Sequence, residues 1–477
     1  MSQHLQNLVC CESFFQPPAG VAGAIFGLYL ESEVTLEQLK LATLRSFREV
    51  PTLRAALDVG SLGINVAVRD FDEAAGEAAA ERAFATPFVE SSEDLLDKSA
   101  TLRRALETEL KQVVFEWHEA PLWRVRPIVR EGSDTCVGMT VSASHLLVDG
   151  LGCAAIARAV LHFLFNDVDE IKQFVSATLP ESVEQKAQID VPPSTLFTVD
   201  NENGKDAART LLEKSRELQT VLRPHVGKLS PSREAIALET RVVNVAALLR
   251  ACKRREMSID TVLTTIAMRV CYEVLKSTVS VTPVSLRKEF PETENAIGNY
   301  FVVLMPANPF SAADTSDEDF WAMALRVHER KMKQQEGGKV EAYRRTCASM
   351  YMPFNVMLLP ALRALCESGT TAALEKCLLS VSTVLAGGVA STCLSNYGRV
   401  QLPHTALTAA TASPFGRSLR FDFCTTNDAQ KMTVTVTVCH DAENTENDAV
   451  AGVTFDNRQL AATLSDEFCR TLAEISA

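Results

Sequence analysis

The motifs that mark many metal-binding and exported proteins are missing from this sequence. Its 13 cysteines include no Cys-x-x-Cys pair and no Cys/His cluster with the spacing of a zinc site. We therefore expect no metal, no tightly bound cofactor, and free thiols in a reducing, cytoplasmic compartment. The first residues have neither a basic start nor a long apolar run, so a secretory signal is not predicted.

Basic residues are also fewer than acidic ones. The chain has 47 Lys and Arg against 60 Asp and Glu, which gives a formal net charge of -13. A surface this acidic repels the phosphates of nucleic acid, so we expect no nucleic-acid partner. An anionic ligand would need a local basic patch, and the densest one in the second half is Lys253-Arg254-Arg255. Such a cluster on a helix is more often a solvated face than a binding site.

Long apolar runs are missing too. The longest, such as residues 154–165, are too short and too interrupted to cross a bilayer, which leaves only peripheral contact with a membrane open. Hydrophobic residues make up 47% and charged residues 22% of the chain, as in folded globular proteins. The 477 residues exceed what one hydrophobic core usually serves, so we expect two domains in a monomer.

Strand and helix patterns alternate in both halves, which predicts an α/β protein with mixed sheets flanked by helices. The polar region 186–235 is the predicted linker, with a short helix at 207–222 inside it. The predicted domains are therefore residues 1–185 and 236–477. Residues 73–112, which are rich in Ala, Glu, Asp and Ser, are predicted to be solvated helix and loop.

Hydrophobic periodicity predicts the main elements of both halves. The predicted strands are 121–128, 137–143, 236–243, 279–286, 300–305, the segment around Leu394, 419–425 and 432–439. The predicted helices are one from Leu36 that Thr35 caps and Pro51 ends, followed by 151–165, 246–253, 259–275 and 460–475.

One histidine stands where proteins usually present reactive side chains. His145 follows the strand 137–143 and precedes the apolar helix 151–165. Asp149 and Gly150 lie between the histidine and the helix. Each of the three has an ordinary explanation, namely a structural histidine, an N-cap aspartate and a turn glycine.

Taken together, the three residues form a recognisable motif. His145-x-x-x-Asp149-Gly150 resembles the motif of the chloramphenicol acetyltransferase-like superfamily, which includes plant acyltransferases, alcohol O-acetyltransferases and the condensation domains of peptide synthetases. Further segments resemble the family in the same order along the chain. They are Pro51-Thr52-Leu53-Arg54, Pro121-Leu122-Trp123-Arg124, Ser285-Leu286-Arg287, Ile297-Gly298-Asn299-Tyr300-Phe301 and Leu394-Ser395-Asn396-Tyr397-Gly398.

One branch of the family fits less well. The plant enzymes carry Asp-Phe-Gly-Trp-Gly near their end, where this chain has Ser413-Pro414-Phe415-Gly416-Arg417 and then Phe421-Asp422-Phe423. The resemblance therefore favours the alcohol O-acetyltransferase and condensation branches. It implies two chloramphenicol acetyltransferase-like subdomains with the active site in a tunnel between them.

The resemblance also implies a role for each residue of the motif. His145 would be the general base that removes the proton of the acceptor, which then attacks a thioester directly, without an acyl-enzyme. Asp149 would point away from the site and pair with Arg287, holding the histidine loop in shape. Gly150, without a side chain, would leave room for a pantetheine arm. No cysteine has an evident base beside it in the sequence, so a cysteine nucleophile is not needed.

Two further segments have predicted roles. Ser395 and Asn396 are the candidate donors to the oxyanion of the tetrahedral intermediate, with an ordinary turn as the alternative explanation. Asn299 is expected to fix a turn with Gly298. The basic cluster at residues 253–255 is the candidate contact for the phosphates of coenzyme A.

The predicted function is acyl-coenzyme A-dependent O-acyl transfer to an alcohol, with acyl-coenzyme A as co-substrate. Two alternatives stay open. One is a condensation-type enzyme that uses a carrier-protein thioester or an amine acceptor, although no carrier-like helical domain is evident in the chain. The other is a non-catalytic binding protein on the same fold, which would not need the intact His145, Asp149 and Gly150.

Overall fold

A computed structural model describes most of the chain between residues 23 and 476. The described residues are 4–7, 23–60, 63–71, 73–91, 97–112, 115, 120–145, 147–176, 181, 183–188, 236–275, 279–304, 308–311, 319–351, 391–412, 419–425, 427–439 and 456–476. The predicted helix at 207–222 and the segment 413–417 lie outside them.

The described part of the chain alternates strands and helices, as the sequence predicts. The strands are β1 (His4–Asn7), β2 (Ala24–Thr35), β3 (Ala55–Gly60), β4 (Gly63–Val68), β5 (Phe88–Glu90), β6 (Trp123–Arg130), β7 (Thr135–Ala143), β8 (Ala237–Asn244), β9 (Val279–Ser285), β10 (Phe301–Leu304), β11 (Ser391–Arg399), β12 (Thr405–Ala412), β13 (Leu419–Thr425) and β14 (Lys431–Val438). The helices are α1 (Leu36–Glu49), α2 (Glu73–Arg82), α3 (Lys98–Gln112), α4 (Gly150–Phe165), α5 (Val168–Ser176), α6 (Val183–Lys186), α7 (Ala246–Arg254), α8 (Ile259–Leu275), α9 (Phe320–Gln334), α10 (Lys339–Tyr351) and α11 (Asn457–Ser476).

The strands form two large mixed sheets and one small sheet. The order is β12-β2-β7-β6-β5 in the first large sheet, β10-β9-β11-β13-β14-β8 in the second, and β1-β4-β3 in the small sheet. Helix α4 packs on β2 and β7 of the first large sheet, and α11 packs on β8 and β14 of the second. The predicted α/β architecture with two mixed sheets flanked by helices is confirmed.

One strand does not follow the predicted division of the chain at residue 236. Strand β12 comes from the second half but pairs antiparallel with β2, with Thr408 opposite Leu28. It also contacts β14, where the Thr433 hydroxyl donates to the Thr408 carbonyl at 2.6 Å. The strand therefore belongs to the first sheet and touches the second, so the two sheets are joined through it.

Local sequence explains the first helix. Thr35 and Gln38 form a reciprocal cap, because Thr35 Oγ1 accepts from the Gln38 amide at 3.1 Å and Gln38 Oε1 accepts from the Thr35 amide at 2.8 Å. The helix ends before Pro51, as predicted. The prediction for residues 73–112 is wrong at α3, which buries Glu107 and Glu109 along with its apolar face.

Candidate active site

A tight turn at the end of β7 presents His145. The amides of Leu147 and Val148 both donate to the carbonyl of Ser144, at 2.9 and 3.2 Å. Helix α4 then begins at Gly150, and Asp149 is its N-cap, since its Oδ1 accepts from the Gly152 amide at 2.6 Å. The ordinary explanation for Asp149 therefore holds, and its remaining contacts add a second role.

Asp149 is held by the second half of the chain. Its Oδ1 accepts from Arg287 Nη2 and its Oδ2 accepts from the Tyr300 amide, both at 2.8 Å. The structure thus brings the predicted Asp149–Arg287 pair together, and both side chains are buried. The carboxylate accepts three hydrogen bonds in all, so both of its buried oxygens have partners.

Arg287 in turn organises the segment that follows it. Its Nη1 donates to the carbonyls of Thr293 and Ala296 at 2.5 and 2.9 Å, and its Nη2 donates to the Gly298 carbonyl at 3.0 Å. The guanidinium also lies over the Tyr300 ring, 5.0 Å from the ring centroid. One arginine therefore fixes the loop between β9 and β10 against the start of α4.

Asn299 in this loop contacts the histidine turn directly. Its Nδ2 donates to the His145 carbonyl at 2.9 Å, across 154 positions of sequence. The neighbouring Gly298 carbonyl accepts from the Asp149 amide at 3.3 Å. The expectation that Asn299 fixes a turn with Gly298 is corrected, because the asparagine amide binds the His145 backbone instead. His145 is thereby held by residues from both halves of the chain.

Two glycines permit close packing around the motif. A Cβ on Gly23 would lie 2.1 Å from the Cβ of His145, so only glycine allows the residue before β2 to approach the histidine so closely. A Cβ on Gly150 would lie 1.9 Å from Cε1 of Tyr397. The space beside Gly150, which the sequence assigned to a pantetheine arm, is thus filled by the Tyr397 ring, and that expectation is corrected.

The surroundings of His145 favour the neutral imidazole. The side chain is 9% exposed, and its ring packs against Phe301 with the centroids 5.6 Å apart. Burial, followed by the positive charge of Arg420, lowers the pKa of His145 from 6.5 to about 4, and Asp149 opposes the shift. The imidazole is therefore uncharged at neutral pH, which is the form that accepts a proton.

A second buried arginine, Arg420, lies on the β13 side of the site. Its Nε donates to both carboxylate oxygens of Asp422 at 2.8 Å. Its Nη2 donates to Ser395 Oγ at 2.8 Å and to the Tyr397 hydroxyl at 3.3 Å. No role for Arg420 was predicted from the sequence, although its strand carries a signal. The run Leu-Arg-Phe-Asp-Phe alternates charged and aromatic residues, so both charges fall on one face.

The two candidate oxyanion donors are placed differently. Ser395 is buried and its Oγ accepts from Arg420, which leaves the hydroxyl hydrogen to be donated elsewhere. Asn396 donates through Nδ2 to Asp260 at 3.2 Å, and its Oδ1 accepts from the Gly398 amide at 2.9 Å. The turn explanation therefore describes Asn396, and Ser395 remains the candidate donor.

The basic cluster proposed for coenzyme A lies at the end of α7. Lys253, Arg254 and Arg255 are exposed, and the Arg255 guanidinium stacks 4.5 Å from the centroid of the Trp321 ring. Helix α7 packs on α8 and α11. The three residues therefore lie on a solvated helix face, which is the ordinary explanation for such a cluster. A role in binding coenzyme A stays a prediction.

No protein-family model matches the chain, and no curated protein matches it either.

Across the described residues, no group of three His, Cys, Asp or Glu side chains is arranged to hold a metal ion. None of the described helices is both long and apolar enough to span a membrane.

Solved structures of condensation domains and their relatives match the whole chain. The first condensation domain of the CDA synthetase has a TM-score of 0.59 at 13% identity, covering 100% of this chain and 96% of that one. The epimerization domain from the third module of tyrocidine synthetase B has a TM-score of 0.54 at 11% identity, with 100% and 96% covered. A mutant of the starter condensation domain of rhizomide synthetase, solved with C8-CoA and Leu-SNAC, has a TM-score of 0.55 at 12% identity, with 100% and 94% covered.

These likenesses establish the fold. The chain has the two-subdomain, chloramphenicol acetyltransferase-like fold of condensation domains, as the motif led us to expect.

Proposed function

We propose that the chain is a condensation-type acyltransferase that moves an acyl group from a thioester to a nucleophile, with His145 as general base. The observation that carries the proposal is the placement of His145. It is buried at the end of β7, and its turn is held by Asp149–Arg287 on one side and Asn299 on the other. A non-catalytic binding protein would have no use for a histidine held in this way.

In the proposed reaction, His145 carries the proton from the acceptor to the leaving thiolate. The imidazole of His145 takes the proton of the acceptor O–H or N–H as that atom attacks the thioester carbon. The carbonyl oxygen becomes an oxyanion and accepts a hydrogen bond from Ser395. When the tetrahedral intermediate collapses, the C–S bond breaks and the imidazolium returns the proton to the thiolate. No covalent acyl-enzyme forms, and the base is regenerated.

The comparisons favour the condensation alternative over the alcohol acetyltransferase prediction. All three solved structures described above are condensation or epimerization domains, and one of them holds C8-CoA together with Leu-SNAC. We therefore propose a pantetheine thioester as donor, carried by coenzyme A or by a carrier protein, and an amine as the first acceptor to test. O-acyl transfer to an alcohol remains the second candidate, because Ser395-Asn396-Tyr397-Gly398 resembles the alcohol acetyltransferase strand.

Thiol release tests the proposal directly. Purified protein is incubated with acyl-coenzyme A or an acylated carrier protein, each combined with aminoacyl thioester analogues or alcohols. We expect release of free thiol that requires both a donor and an acceptor, with a new amide or ester found by mass spectrometry. Ester formation from acyl-coenzyme A and alcohols alone would instead support the second candidate. No thiol above the no-acceptor background in any combination would overturn both.

A further inference from the structure

We infer that Arg420 is a positioning residue of this site: held by Asp422, it orients the Ser395 hydroxyl for the reacting carbonyl and keeps a positive charge beside His145. The inference rests on the proposed acyl transfer and deepens it. It assigns a function to a buried charge pair that the reaction scheme above does not use.

The geometry of the Arg420 guanidinium leaves it little freedom. Both oxygens of Asp422 accept from its Nε at 2.8 Å, and Cys393 Sγ lies 3.3 Å from its Nη1. Because a guanidinium is planar, fixing the Nε edge also fixes the direction of the Nη groups. Nη2 is thereby aimed at Ser395 Oγ, 2.8 Å away, and at the Tyr397 hydroxyl.

The contact with Arg420 changes what Ser395 can do. A hydroxyl that accepts a hydrogen bond from a cation is polarised and becomes a stronger donor for its own hydrogen. The nearby Cys393 Sγ, 3.8 Å from Ser395 Oγ, is only a weak acceptor. Ser395 is therefore prepared to donate to a negative charge that develops on the substrate. Both residues are buried, so water weakens this effect little.

The burial of the Arg420–Asp422 ion pair also needs an explanation. A buried ion pair is often no more stabilising than apolar side chains of the same volume. The next residues on β13, Phe421 and Phe423, show that this strand accepts apolar side chains in the core. The charges of Arg420 and Asp422 lie on the other face of the same strand, towards Ser395 and Tyr397. Stability alone gives no reason for charge there.

The charges around His145 define the second effect. Arg420 reaches the histidine turn through Tyr397, whose hydroxyl accepts from its Nη2 and whose ring packs on Gly150. Burial lowers the pKa of His145 most, the charge of Arg420 lowers it further, and Asp149 raises it. Each of these two charges has its own partner, Asp422 and Arg287 respectively. Burial keeps Tyr397 neutral by raising its pKa well above 10.0. Removal of the Arg420 charge should therefore make His145 easier to protonate.

The test removes both members of the pair, so that no buried charge is left alone. Arg420→Met/Asp422→Leu should fold, as checked by a thermal melt, and lower kcat by roughly 10- to 100-fold, with little change in KM for the donor. Ser395→Ala should lower kcat to a similar extent, and adding it to the double variant should cause little further loss. Glu467→Leu/Arg470→Met, which removes an exposed ion pair of α11, is the control for loss of one charge pair.

An NMR titration of His145 gives a readout that does not depend on turnover. The His145 pKa should rise in Arg420→Met/Asp422→Leu, because the positive charge that lowers it is removed. It should stay unchanged in Ser395→Ala and Glu467→Leu/Arg470→Met. Arg420→Lys, which keeps the charge and loses the planar fork, should lower kcat without moving the pKa.

The outcomes separate the two proposals. A wild-type protein without turnover on any donor and acceptor defeats the proposed function, while the NMR titration still tests the effect of Arg420 on His145. A folded double variant whose kcat and His145 pKa equal those of the wild type overturns the inference, even if the acyl transfer is real.

Discussion

Two buried arginine–aspartate pairs lie near His145, and each contacts a different part of the site. Asp149–Arg287 joins residues 138 positions apart and ties the histidine turn to the loop before β10. Arg420–Asp422 joins residues two positions apart on one strand and directs its remaining donors to Ser395 and Tyr397. The first pair therefore fixes the position of His145. The second pair places a positive charge that acts on Ser395 and His145. Burial alone does not tell these roles apart, but the outward contacts of each pair do.

Breaking the first pair should have the largest effect on stability. Asp149→Ala leaves Arg287 buried without its partner, and Arg287→Ala leaves Asp149 in the same state. Each should reduce the free energy of unfolding by about 3–5 kcal/mol. The double variant should lose less than the sum of the singles. Denaturant unfolding of the four proteins measures this, and strictly additive losses would show that the two side chains do not interact.

The two pairs should differ when both charges are replaced by apolar residues. Arg420→Met/Asp422→Leu should recover most of the stability lost in either single variant, because no buried charge is left unpaired. Asp149→Leu/Arg287→Met should recover much less. Asp149 also caps α4 and accepts from the Tyr300 amide, and these contacts have no apolar replacement. Equal recovery at the two sites, measured by unfolding, would contradict this division of roles.

The pH dependence of stability tests the environment of His145. Its pKa is lowered to about 4 in the folded protein, so between pH 6.5 and 4 the unfolded chain binds the proton more readily. The free energy of unfolding should therefore fall as the pH drops through this window, by up to about 3 kcal/mol from this group. Burial also lowers the pKa of His162, so the measurement compares wild type with His145→Gln. Parallel curves for the two proteins would mean that His145 is not buried as a neutral group.

Gly150→Ala tests the contact between the motif and Tyr397. Alanine normally favours a helix over glycine by about 1 kcal/mol, so any loss of stability must come from the added methyl group. We expect a lower melting temperature, because the methyl would collide with the Tyr397 ring. In a Tyr397→Leu background the same change should be tolerated. A melting temperature that falls equally in both backgrounds would place the cause elsewhere.

The smallest effect is expected at the basic cluster of α7. Lys253→Ala/Arg254→Ala should leave KM for acyl-coenzyme A nearly unchanged, because both side chains lie on a solvated helix face. A rise in KM that disappears at high salt, with kcat unaffected, would instead support the coenzyme A role that the sequence raised.

Local signals explain what the sequence predicted well. Helix 259–275 and strand 419–425 have the predicted bounds, since each carries a clear periodicity. Strand β2 was not predicted, because residues 24–30 are buried on both faces and so do not alternate. Strand β12 was also missed, and its pairing with β2 across nearly the whole chain leaves no local trace.

In the candidate site, too, some residues were predictable from the sequence and others depend on tertiary structure. The motif identified His145 and Asp149, and the family resemblance identified Arg287. The network of Arg420 depends on the register between β11 and β13, which places Arg420 opposite Cys393 and Asp422 opposite Ser395. That pairing is set by tertiary structure. For the same reason the packing of Tyr397 on Gly150 became visible only in the folded chain.

The rate of thiol release by His145→Ala, compared with wild type on the same donor and acceptor, tests the central claim most directly. His145→Ala should keep its fold and its affinity for the donor, because the Asp149–Arg287 pair does not depend on the imidazole. We expect its kcat to fall by at least ~100-fold, the usual scale for loss of a general base. A folded His145→Ala protein with a kcat near that of the wild type would contradict the assignment of His145 as the base.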